Sequence, residues 1–271
     1  MVYYQWHCRR MNKMSSIEKR MVSILSQLKQ QYGVTGVKAS LEAEGVRLAE
    51  LLRLKEIAML AGVGLVVKIG GCEALTDIRL AHTIGANGVM GPMIESKFAL
   101  EKFLAMGAGE YSGEELEDVK LSINIETVDG YEKIDKILAA ENIQLLSGIV
   151  LGRTDLAAAL KTADVDSPEI LRIAKEIFGK AKQRSLSCLI GGGINNKTVP
   201  FLKQLGDLVD GFETRKVIFG SFREIEPVAE EGIRLALEFE YSWYELKRQY
   251  YSVLRDEDAG RMKKMAVLLN K

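Results

Sequence analysis

Two carboxylates close two consecutive apolar runs: Leu121-Ser-Ile-Asn-Ile-Glu126-Thr and, 29 residues on, Ser147-Gly-Ile-Val-Leu-Gly-Arg-Thr-Asp155-Leu. Each acidic residue sits where a buried strand would give way to a loop. Neighbouring strands run about 4.8 Å apart, so on adjacent strands the two side chains can share one hard cation. Other apolar runs end in the same manner: Lys38 with Glu42 and Glu44, Lys68 with Gly70 and Gly71, Pro92 with Glu95, Gly191 to Asn196, and Glu213 with Arg215 and Lys216. An unpaired buried charge is costly. So many ionisable strand ends therefore imply a shared polar cavity, or else a ring of structural salt bridges.

The elements that must position these groups alternate short apolar runs with amphipathic stretches from Val34 onward, the pattern of βα units. Strands are expected at Val34–Leu41, Gly64–Ile69, Gly88–Met93, Lys120–Glu126, Gly148–Leu151, Ser187–Ile190 and, irregularly, Leu208–Phe219. Helices are expected at Val46–Leu60, Ala74–Ile84, Lys97–Met106, Tyr131–Ala140, Pro168–Gln183 and Thr198–Leu205, with apolar residues at i, i+3 and i+4. The reading is an α/β chain, a (β/α)8 TIM-type barrel with a long C-terminal helical extension. Such barrels carry their chemistry on the loops after the strands. An eighth strand is not visible, and closure is inferred. An open doubly wound sheet is the alternative, but no early G-x-G-x-x-G turn supports a dinucleotide site. The organisation expected is one domain: residues 1–33 a leader and helix, 34–226 the barrel, and 227–271 helices packing on the barrel or on a neighbouring subunit. The aromatic stripe from Phe239 to Tyr251 favours such packing and a homo-oligomer.

Composition narrows the partners. The 271 residues match the size of one barrel, and 37 basic residues balance 37 acidic ones. No net field draws nucleic acid or an anionic membrane, so a small molecule is expected. Three cysteines without metal-type spacing argue against a disulfide framework and a zinc knuckle. The longest apolar stretch, Ile57 to Val67, has 11 residues, too few to span a bilayer, and Met1 to Arg10 lacks an apolar signal core. A cytoplasmic location is the expectation.

The segments Ile123-Asn-Ile-Glu126-Thr-Val-Asp-Gly and Gly148-Ile-Val-Leu-Gly-Arg-Thr-Asp155-Leu resemble the HpcH/HpaI aldolase and citrate lyase β-subunit family of the phosphoenolpyruvate/pyruvate superfamily. Val89-Met-Gly-Pro92-Met also looks like that family's Pro-Met turn, and the resemblance covers Val34 to Leu160 best. It implies Mg2+ or Mn2+ held by Glu126 and Asp155, with water and a 2-oxo acid completing the shell. Such an ion would act as a Lewis acid on the enolate of a pyruvate-like donor, giving carbon–carbon lyase or aldolase chemistry toward an unknown acceptor.

Departures from the family matter too. Where its members carry an Arg on the substrate, this chain has Lys68, a point charge instead of a planar fork. The family's His after the preceding acidic strand is absent from Lys38-Ala-Ser-Leu-Glu42-Ala-Glu44-Gly45. Of the two histidines, His82 falls on a helix and reads as structural, and His7 lies in an unpatterned leader. Glu42, Glu44 or a metal-bound water are left as bases. Lys68 is the expected anion clamp, with Arg153, Arg215, Gly191 and Gly192 as further substrate contacts; the glycine turn could bind an anion or be only a tight turn. Two rivals stand beside this reading: a Schiff-base aldolase using Lys68, and a non-catalytic ligand-binding member of the family.

Overall fold

The computed structural model describes residues 14–268. Eight strands close into one barrel in sequence order: β1 (Val34–Ser40), β2 (Gly64–Lys68), β3 (Gly88–Gly91), β4 (Lys120–Ile125), β5 (Leu146–Gly152), β6 (Ser187–Gly191), β7 (Gly211–Glu213) and β8 (Val217–Phe219). Pairing is parallel from β1 through β7. Strand β8 is antiparallel to both of its neighbours, β7 and β1.

That last pairing explains why the eighth strand is not legible in the sequence. The run Leu208–Phe219 is a hairpin whose turn, Thr214 to Lys216, leaves no room for a crossover helix. A reversed strand needs only a tight turn, whereas a parallel one needs a dozen or more connecting residues. The chain therefore closes its barrel with seven parallel strands and one reversed strand.

Alternation along each strand divides the two faces. Val37, Leu65, Val67, Val89, Leu121, Ile123, Ile149, Leu151, Cys188 and Ile190 point outward and are fully buried under helices. The main covering helices are Leu48–Ala61, Leu75–Thr83, Lys97–Glu110, Pro168–Lys182 and Val199–Leu205. Their ends follow local chemistry: Ser96 and Ser167 cap by accepting from Ala99 N and Ile170 N, and Gly62 ends a helix at φ 73°. The stretch expected as one helix at Tyr131–Ala140 is two short pieces, Val128–Glu132 and Ile134–Ile137.

Outside the barrel, the helix Ser16–Tyr32 packs beside a 40-residue C-terminal helix, Ala229–Leu268. The leader through Lys13, with His7 and Cys8, lies outside the described residues. Among those described, no helix is long and apolar enough to cross a membrane.

His82 lies on the outer helical layer, as its helical position implied. Its two ring nitrogens face Glu110 at 3.0 Å and Glu115 at 3.2 Å, so both donate when the ring is an imidazolium. The hydrogen bond to Glu110, followed by that to Glu115, raises the His82 pKa above its ordinary value. A raised histidine pKa adds stability that is complete below the unfolded pKa, about 6.5, and is lost as pH rises through the folded value. Urea titrations of His82→Ala should therefore show a larger loss at pH 6 than at pH 9; an equal loss at both would show that the ring's charge contributes nothing.

Candidate active site

The strand ends converge on a cavity of about 270 Å³ at the C-terminal mouth of the barrel. Lys38, Glu44, Lys68, Asn124, Glu126, Asp155, Glu213 and Arg215 supply its charge and polarity. A larger cavity of about 540 Å³ lies in the barrel interior toward the opposite face, where several lining positions are small, among them Gly36, Gly64, Ser122, Gly148 and Ser187. Most of the ionisable lining groups gather in the upper one, where the loops after the parallel strands meet.

Glu126 is the most constrained carboxylate there. It follows β4, is nearly fully buried, and accepts from Lys68 Nζ at 3.1 Å (Oε1) and 3.3 Å (Oε2), from Asn124 Nδ2 at 2.9 Å and from Met93 N–H at 3.2 Å. The Pro92-Met93 turn is the source of that last donor. Met93 has φ 51°, a left-handed backbone unusual for a side chain of its size. Next in the chain, Thr127 caps the helix Val128–Glu132 by accepting from Gly130 N–H at 3.1 Å. The Glu-Thr pair thus turns one side chain into the mouth and spends the other on the helix start. Gly152 completes the fit, since a Cβ there would lie 2.5 Å from Glu126 Oε2.

Asp155 occupies the first turn of the helix Arg153–Ala159, just after β5. Because β4 and β5 are adjacent and in register, Ile125 opposite Leu151, it comes within hydrogen-bonding reach of Glu126. Its side chain is exposed to the cavity. Partial desolvation first, then the negative charge of Glu126, raise its pKa above the ordinary aspartate value, with Lys68 opposing. Two hard-oxygen donors therefore face one open space. Among the described residues no three His, Cys, Asp or Glu side chains gather into a metal-type cluster. A divalent ion here would take two protein carboxylates and draw its remaining oxygens from substrate and water, a common arrangement for Mg2+. Asn124 Oδ1, buried and without a hydrogen-bond partner, adds an uncommitted acceptor to the wall.

Lys68 stands where its strand position placed it, but bonded to Glu126 instead of free. An ammonium has three donors. A second buried pair, Lys38 and Glu213, crosses the floor. The Glu213 side chain is almost inaccessible; Oε1 meets Lys38 and Oε2 is buried without a partner. Strand ends already marked Glu213 as ionisable, but its partner is Lys38, brought in by barrel closure, and not the adjacent Arg215.

Arg215 is exposed at the mouth and reaches Tyr244 on the C-terminal helix. Its neighbour Lys216 is buried, paired with Glu44, and lies over the Trp243 ring at 5.5 Å, while Lys216 N–H donates to Glu240 at 2.9 Å. Burial lowers the Lys216 pKa against the opposing charge of Glu44. The C-terminal helix thereby fixes the β7–β8 turn that presents Arg215.

Two residues expected at the site lie outside the cavity. Glu42 is exposed and lies against Gly70, outside the cavity; the carboxylate of that loop that lines the site is Glu44. The loop leaves the strand after Ser40, so alternation no longer governs direction there. Arg153 is fully buried and turned away from the mouth. It pairs with Asp166, donates to Gly192 O at 2.7 Å and Gly191 O at 3.3 Å, and stacks 4.9 Å from the Phe201 ring. Its reach beneath the glycine turn braces that turn from outside the cavity. Gly191 and Gly192 do line the cavity. Gly192 has φ 78°, and a Cβ there would lie 2.6 Å from Thr154 N, so both the left-handed backbone and the close approach of the chain require glycine at this turn. Cys188 is buried, and desolvation pushes its thiol up to about 12, which removes it as a nucleophile at neutral pH.

Comparison with known proteins bears on the fold and the family. No curated protein matches the chain. Among solved structures, an HpcH/HpaI aldolase/citrate lyase family protein from Burkholderia cenocepacia J2315 is 14% identical with a TM-score of 0.60, over 89% of this chain and 100% of that one. An HpcH/HpaI aldolase from Desulfitobacterium hafniense DCB-2 is 16% identical with a TM-score of 0.59, over 79% and 86%. The citrate synthase SbnG is 17% identical with a TM-score of 0.57, over 72% and 81%. These likenesses establish the shared fold. The family model for HpcH/HpaI aldolase/citrate lyase matches residues 46–192, the span that holds Lys68, Glu126 and Asp155. With more than half its length carrying that pattern, the chain belongs to the HpcH/HpaI aldolase/citrate lyase family and is an enzyme of the aldolase and lyase class.

Proposed function

We propose that the protein is a divalent-metal-dependent carbon–carbon lyase or aldolase acting on a pyruvate-like 2-oxo acid, with Glu126 and Asp155 holding Mg2+ or Mn2+. The observation that carries this reading is the meeting of Glu126, Asp155 and Lys68 at one cavity. When bound, the metal supplies Lewis acidity toward the 2-oxo acid oxygens. Lys68, with two donors on Glu126 and one to spare, orients the substrate carboxylate. Arg215 offers a second cationic contact at the rim for the acceptor. Glu213 is the carboxylate placed to take up a proton within the cavity, since its Oε2 is uncommitted and Lys38 holds the other oxygen.

The Schiff-base alternative draws less support from this geometry. An activated amine needs apolar or cationic surroundings, and Lys68 instead spans both oxygens of a carboxylate. Incubation with Mn2+ and pyruvate in deuterated water should exchange the methyl protons, and Glu213→Gln should slow that exchange. Absence of exchange together with borohydride trapping of pyruvate on Lys68 would reject the metal-dependent route in favour of the imine.

A further inference from the structure

The lower chamber departs from the usual filling of this fold. Inward side chains ordinarily pack such a barrel in layers, yet here the base holds a cavity of about 540 Å³, within the roughly 300–1,000 Å³ that small-molecule sites occupy. Its wall cannot be closed from the glycines. An added Cβ would lie 2.7 Å from Ser187 O at Gly148 and 3.2 Å from Gly64 O at Gly36, so neighbouring backbone forms the surface there.

Polarity is graded along the chamber. Thr35, Asn87, Asp118 and Lys120 are exposed around the starts of their strands, whereas Val66, Met90, Val150, Leu189 and Ile218 line the interior. One ionised side chain stands between this chamber and the upper cavity. Glu213 lines both and is only 2% exposed; its Oε1 is taken by Lys38 of the upper cavity, and its Oε2 has no hydrogen-bond partner among the described residues. A buried acceptor left unmet is costly. The chamber therefore combines apolar walls with one demand for a donor.

The donor that fits is neutral. Lys38 already balances the carboxylate charge, and a second ammonium beside it would meet like-charge repulsion in a poorly hydrated site. A ligand carboxylate would face Glu213 itself. A hydroxyl supplies one donor without net charge, and the apolar walls favour an aliphatic body. We infer that the lower chamber is a ligand site entered from the base of the barrel, which takes a short aliphatic alcohol with its hydroxyl on Glu213 Oε2. Such an occupant shares Glu213 with the upper cavity without sharing its entrance.

Titration of the full chain with n-hexanol, followed by isotope-labelled methyl resonances of Val66, Val150, Leu189 and Ile218, tests this. Their shifts should saturate, with nuclear Overhauser contacts to the hexanol chain. Methyl pentyl ether matches n-hexanol in size but has no donor, and it should bind about tenfold more weakly. Hexylammonium should bind no more tightly than the alcohol. Ser122→Leu enlarges an inward position of β4 and should abolish the titration; Ser187→Leu does so from β6 and replaces it if the first variant lacks native near-ultraviolet circular dichroism. Absence of saturable shifts, equal binding of ether and alcohol, tighter binding of the ammonium, or unaltered binding in a folded blocking variant would each overturn the assignment. All these readouts are independent of metal and of turnover.

Discussion

Asp155→Asn is expected to abolish calorimetric Mn2+ binding while leaving stability within about 0.5 kcal/mol of the wild type, as exposed substitutions usually do. Glu126→Gln is expected to lose both. The difference comes from burial: Asp155 faces the cavity, whereas Glu126 is enclosed by Lys68, Asn124 and the Met93 amide. Removing the Glu126 charge leaves the Lys68 ammonium without its partner in a half-closed site, a loss of about 1–3 kcal/mol. For the metal, changes outside the ligand shell already cost 10–100-fold in other sites. Loss of one of two protein ligands should therefore reduce affinity by about 100-fold or more. Unchanged Mn2+ binding in both variants would reject the proposed ligands, and unchanged stability in Glu126→Gln would show that Lys68 finds another partner at no cost.

Arg153→Ala is expected to be the most destabilising single change near the site, by about 3–5 kcal/mol, the usual loss when one partner of a buried ion pair is removed. For a chain of this size that corresponds to a fall in Tm of about 10 °C. The guanidinium is fully buried, and its removal would strand Asp166 and the carbonyls of Gly191 and Gly192. Differential scanning calorimetry separates this role from the one its strand-end position suggested. A substrate contact would raise KM with Tm unchanged, and that outcome would return Arg153 to the binding site.

How far the site was legible follows from these two residues. Glu126 ends an apolar run, and a strand running into a loop must turn its last inward side chain into the mouth. Asp155 is three residues past Gly152, still within the first turn of the next helix, so its position also follows from local geometry. Arg153 lies between them in sequence, yet the turn from strand to helix rotates it under the glycine loop. Side-chain direction within such a turn depends on what packs beneath it, here Asp166 and Phe201, and neither is near in sequence. Glu42 illustrates the same limit, since it follows the last paired residue of β1 and is directed by a loop and not by the pleat.

The sequence by itself determined the alternating elements, the seven parallel strands and the two carboxylates that close adjacent strands, because periodicity and strand order are local or nearest-neighbour properties. Tertiary structure alone decided the pairing of the reversed eighth strand with β1, the Lys38–Glu213 and Lys216–Glu44 pairs, and the engagement of Lys68 with Glu126. Each joins residues far apart in the chain, and only barrel closure brings them within the few ångströms over which charge and hydrogen bonding act.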